Sequence, residues 1–179
     1  AMSVSLYLWS TEKADREPVN EAVLLDIYIE IILEKLNLNN AYQNTFDYRN
    51  KTMLLAHLAE KVKETYPVSL TYGEYIDHIS SYLHNVVGFD KFDPKKIGDY
   101  FIERKLFTRL GDKVQFAHTC FYHFFLAQRM RDKEEFKEKI LSQDSYYKND
   151  RAVSYYAGLV RNDKRLLEFL LEDVEHYFE

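Results

Sequence analysis

Cysteine is almost absent from this 179-residue chain. Cys120 stands alone, which excludes an internal disulfide framework and any zinc site built on several thiolates. A lone thiol fits a reducing compartment, so a cytoplasmic location is expected. Glycine and proline are scarce, five and three residues, too few for a loop-dominated or disordered chain. Long apolar runs are missing too. The longest, around Leu24 to Leu33, is broken by Asp26 and Glu30, so neither a membrane span nor a membrane partner is expected. No secretory leader is visible.

The catalytic signatures are missing as well. There is no GxxxxGK(S/T) loop to cradle a triphosphate, and no HExxH, GxSxG or EF-hand pattern. Six histidines are scattered at 57, 78, 84, 118, 123 and 176. No thiolate or carboxylate cluster accompanies them, so no metal site is expected. Cys120 lies two residues from His118 without an orienting third group, and reads as a small buried thiol rather than a nucleophile. The chain is therefore read as non-enzymatic, with no catalytic residue and no cofactor of its own.

What is abundant is aromatic and charged surface. Fifteen tyrosines and twelve phenylalanines suggest broad helix–helix contacts with hydroxyls at the rim. The formal charge of −5 argues against holding nucleic acid by bulk electrostatics. Ala1 ahead of Met2 reads as a scar, with native sequence expected upstream.

In chain order, Ser3–Ser10 reads as a helix tail and Thr11–Asn20 as a polar connection broken by Pro18. Asn20 is placed to cap a helix to about Leu36. Asp26, Glu30 and Glu34 fall four apart there and read as one solvated edge rather than an acid/base pair. The Asn-rich stretch 37–50 reads as a linker. Next come a helix over Thr52–Lys63, a short strand near Val68–Thr71 and a helix over Glu74–Val86. A third helix, capped by Asp93 with Pro94 at its first position, runs to about Lys105. Leu106–Leu110 and Lys113–Phe116 form a hairpin whose Gly111-Asp112 turn suits type II′. Helices follow over Thr119–Arg131, Lys133–Leu141, Asn149–Val160 and Lys164–Phe178. The fold class expected is mainly α, a winged-helix-like domain with a small β-hairpin, flanked by helical segments.

A winged helix often reads DNA, and Lys95, Lys96, Arg104, Lys105, Arg109 and Lys113 are the candidate phosphate contacts. Asp93, Asp99, Glu103 and Asp112 interleave with them. That leaves less positive charge than a DNA-reading surface gathers, so nucleic acid is the alternative reading. A helical adaptor presenting tyrosines to a protein partner is another.

The stretch Val114–Met130, VQFAHTCFYHFFLAQRM, resembles the F-x-H-x-(S/T)-F-x-E-(F/Y)-x-A segment that closes the winged helix of NACHT-type STAND ATPases, the group that includes NLR immune sensors. Phe116, His118, Phe121, Phe124 or Phe125 and Ala127 carry the match, and His123 replaces the usual acid. Ser5–Leu36 is similar to that family's lid-to-winged-helix segment, and Ser154–Leu166 (SYYAGLVRNDKRL) to the helix opening its helical array. The resemblance implies three segments: 1–40 the end of the ATPase lid, 41–131 the winged helix, and 132–179 the start of the array. It implies that His118 contacts a phosphate of ADP held by a nucleotide-binding domain before Ala1. Exchange of ADP for ATP would then release the module, allow homo-oligomerisation and signal, for instance in antiviral defence.

Overall fold

The computed structural model describes residues 19–34, 46–65, 69–86, 88–142 and 147–178. The expected helix tail at 3–10, the Pro18 connection and the 37–45 part of the Asn-rich stretch lie outside them. Among the described residues eight helices surround a small antiparallel sheet. They are α1 (Glu21–Glu34), α2 (Tyr48–Lys63), α3 (Tyr72–Asn85), α4 (Pro94–Glu103), α5 (Thr119–Asp132), α6 (Glu134–Leu141), α7 (Asp150–Leu159) and α8 (Lys164–Phe178). The strands β1 (Leu70–Thr71), β2 (Phe107–Leu110) and β3 (Lys113–Phe116) lie in the order β1-β3-β2. The fold is mainly helical with one hairpin, in the element order expected.

Local chemistry accounts for several of the helix starts. The Asn20 amide oxygen accepts the Val23 N–H at 2.9 Å, capping α1. Thr71 and Glu74 form a reciprocal capping box at the start of α3. Asp93 accepts the Lys95 N–H at 2.9 Å with Pro94 behind it. Gly111 adopts φ +63°, as the first position of a type II′ turn requires, and closes the β2–β3 hairpin.

α2 begins four residues earlier than the periodicity predicts, inside the Asn-rich stretch. The reason is both local and tertiary. Asp47 caps it through the Asn50 N–H at 2.9 Å. The Tyr48 hydroxyl donates to Asp26 on α1 at 3.3 Å, and the buried Lys51 ammonium donates to the Leu33 carbonyl at 3.3 Å. These bonds recruit residues of weak helix propensity into the helix.

One buried cluster runs from Ala22 on α1 to Leu166 on α8 and draws on every described helix. α5 lies at its centre, packed by α2, α7 and α6 and touching α1 and β3. Its Phe121, Phe124, Phe125, Leu126, Ala127 and Met130 are all buried. The rim is polar and paired. Glu60 on α2 accepts from Arg129 at 2.6 Å and Lys133 at 3.3 Å. Burial alone would raise its carboxyl, and the two cations outweigh that and hold it below the usual range. Asp163, at the start of α8, accepts from the Tyr156 hydroxyl and from Lys137 and is held down at about 2, the tyrosine hydrogen bond being the largest cause.

α4 ends in a Schellman motif: the Leu106 N–H reaches the Phe101 carbonyl at 3.1 Å and the Lys105 N–H reaches the Ile102 carbonyl at 3.0 Å. The residue forced into the left-handed region, at φ +59°, is Lys105 rather than glycine. Lys105→Gly is therefore expected to stabilise the chain by about 1 kcal/mol in urea denaturation. Gly98 on α4 has the opposite constraint. A Cβ there would meet Ile76 Cδ1 at 2.8 Å and Tyr75 Cε1 at 2.9 Å, and Tyr75 is pinned by its hydroxyl bond to the Gly98 carbonyl. Gly98→Ala is expected to destabilise by about 1–3 kcal/mol in the same measurement, despite the better helix propensity of alanine.

Candidate functional site

His118 sits at the N-cap of α5, where the chain leaves β3, with extended backbone dihedrals. Its carbonyl accepts the Phe121 N–H at 3.0 Å, so the backbone starts the helix while the side chain makes no capping bond. The ring is exposed and packs edge-on against Phe121, centroids 5.2 Å apart. The exposed imidazole thus rests on one ring contact and does not cap the helix. Cys120 beside it is a free, half-buried thiol pushed up by burial.

Of the six candidate DNA contacts, Arg104 and Arg109 lie on tyrosine rings of the chain itself. Lys95 and Lys96 are exposed at the first turn of α4, and Lys105 is exposed beyond its other end. Arg104 lies over the Tyr100 ring at 5.8 Å. Arg109 folds flat over the Tyr72 ring at 3.7 Å and donates to the Gly111 carbonyl at 3.0 Å. The Tyr72 hydroxyl in turn donates to Asp99 at 2.7 Å. The wing arginine and an acid of α4 are therefore joined through one tyrosine, which holds this exposed cation in place beside an acid. Lys113 remains exposed on β3.

The other histidines divide by environment. His57 lies tilted against Tyr82, centroids 5.3 Å apart, and is pushed down to about 4, mainly by burial and then by Arg129. His78 is also lowered by burial. His84 bonds the Ser80 carbonyl within α3 at 2.7 Å. His176 lies among residues whose side chains are not described. Among the described residues no group of three His, Cys, Asp or Glu could hold a metal ion, and no helix is long and apolar enough to cross a membrane.

Sequence reasoning overlooked a cleft of about 560 Å³ on another side of α5. Thr119, Tyr122 and His123 of α5 form one wall, and Gln115 and Phe116 of β3 form another. Lys63 and Thr65, at and beyond the end of α2, meet Lys148 and Asn149 across it. Lys63 donates to the Asn149 side chain at 2.9 Å. Among the described residues no Asp or Glu lines the space. Burial lowers Lys63, and the nearby Lys139 and Lys148 lower it further. His123 Nδ1 is buried with no hydrogen-bond partner among the described residues. His123 is lowered by burial first, with Arg151 and Lys63 adding and Asp150 opposing. Its one sequence signal was the replacement of an expected acid by histidine.

Residues 69–126 match the model of the family described as Novel STAND NTPase 4. That stretch is similar to a STAND-type ATPase. It runs from the start of β1 through the hairpin and His118 into α5, and covers less than half of the chain. No curated protein and no solved structure matches.

The histidine environments are measurable. In an NMR pH titration His123 is expected to remain neutral through pH 7 and to protonate below the ordinary histidine midpoint of about 6.5. Lys63→Met removes one of the cations that hold it down, and should move that midpoint upward.

Proposed function

We propose that this chain is a non-catalytic regulatory module of a STAND-type ATPase, of the NACHT kind, in which a winged helix serves as a nucleotide-dependent switch. The observation that carries the reading is the match of residues 69–126 to a STAND family together with the order α2, β1, α3, α4, β2, β3. That order and the β1-β3-β2 sheet suit a winged helix. In this reading segment 1–40 ends the ATPase lid, 41–131 is the winged-helix domain and 132–179 begins a helical array.

The partner is a nucleotide-binding domain of the same protein, and the cofactor is its ADP or ATP. His118 is the residue that reaches a phosphate. Its exposed, uncapped imidazole supports this, because a ring N–H at a helix N-terminus donates to an anion while the helix dipole favours the same charge. A phosphate dianion beside the ring would favour its protonated form and tighten the resting state. Exchange to ATP shifts the equilibrium only by its differential affinity for the two states, releasing the module to oligomerise in cytoplasmic signalling or defence. A DNA-binding role is disfavoured by the tying of Arg109 through Tyr72 to Asp99.

Calorimetry tests the reading. The 179-residue chain is expected to bind ATP and ADP no tighter than the millimolar range and to show no hydrolysis. When a P-loop domain in the parent protein is present, His118→Ala is expected to weaken ADP retention by about tenfold, near 1.4 kcal/mol. Clean micromolar ATP affinity of the isolated chain, or a salt-sensitive DNA shift abolished by neutralising Lys95 and Lys96, would count against it.

A further inference from the structure

The cleft between α2, β3, α5 and α7 is not used by the switch described above, and His118 does not line it. We propose that it binds a phosphomonoester, its phosphate held by Lys63, Lys148 and His123 and its organic group lying against Phe116 and Tyr122.

Charge, volume and unmet bonding support this independently. Two lysines and a histidine converge on a space that no carboxylate lines among the described residues. Lys63 is half-buried, and its charge is disfavoured by burial and by two neighbouring lysines, a balance that a dianion would reverse. Other charged groups around His123 are Asp150 and Arg151 on α7, of opposite sign, so α7 adds no net counter-charge. His123 keeps Nδ1 buried and unpartnered. Since orphaned buried N–H groups are rarer than orphaned acceptors, the proton belongs on Nε2, which is then the ring's donor. Thr119 adds a hydroxyl at the first turn of α5, an end that no side chain caps. A space of about 560 Å³ is larger than an inorganic phosphate needs and falls in the range of small-molecule sites. Its aromatic walls, Phe116 and Tyr122, are apolar surface suited to the remainder of a ligand.

The experiment titrates the 179-residue chain, followed by NMR at constant ionic strength, with inorganic phosphate and with phenyl phosphate. The expected result is saturable movement of the His123 ring signals by both, with a Kd of about 1 mM or tighter for phenyl phosphate and weaker for phosphate. Lys148→Met, on an exposed side chain that the fold does not need, and Lys63→Met should each weaken binding by about fivefold or more, and the Lys95→Met/Lys96→Met pair should leave it unchanged. Absence of saturation by both probes, or equal losses in the Lys95/Lys96 pair, overturns the site. Equal affinity for the two probes overturns the assignment of the organic group. These outcomes do not depend on whether the chain is a STAND module, because neither a nucleotide nor the upstream domain is present.

Discussion

The apolar burial of α5 is the constraint on which most of the other contacts depend. Phe121, Phe124, Phe125, Leu126 and Met130 face different directions around the helix and are all enclosed. A helix apolar around so much of its girth must be covered on several sides, and α2, α7, α6 and β3 supply that cover. Each phenylalanine contributes about 1.5–3 kcal/mol by leaving water. Phe116 links this cluster to the hairpin, lying 4.2 Å from Phe107 and 5.9 Å from Phe125 between ring centroids. The hairpin is therefore held by the aromatic helix as well as by its own ladder.

Covering α5 also decides what its N-terminus can do. Seating Phe121 in the core leaves His118 at the surface, because the cap residue lies outside the last buried turn. The same seating rotates Thr119, Tyr122 and His123 toward the end of α2 and the start of α7. Two polar environments thus flank one helix start. One is an exposed imidazole, and the other is a recessed basic cleft. Both follow from packing that is itself apolar.

Charge elsewhere is largely consumed internally. Glu60 is bound by Arg129 and Lys133, Asp163 by Tyr156 and Lys137, and Arg109 lies on Tyr72. Such half-buried pairs fix geometry more than they add stability. They also explain why counting cations along α4 and the hairpin overstates the positive surface. The Lys63–Lys148 region gathers like charges with no lining acid among the described residues.

The sequence by itself determined the elements and their order. Asn20, Asp93-Pro94 and Gly111 act on neighbours within three residues, so these caps and this turn were legible from spacing alone, and so was the aromatic face of α5. The Thr71–Glu74 capping box that starts α3 two residues early was not read. His118 was reached through resemblance alone. Tertiary structure decided the rest. The early start of α2 depends on Asp26 and Leu33, well separated from it in the chain. Lys63, Phe116, His123 and Lys148 meet only because α2, β3 and the start of α7 converge on α5. No periodicity encodes such a meeting, since local rules act over one helical turn while a cleft is made by chains brought together through long-range burial.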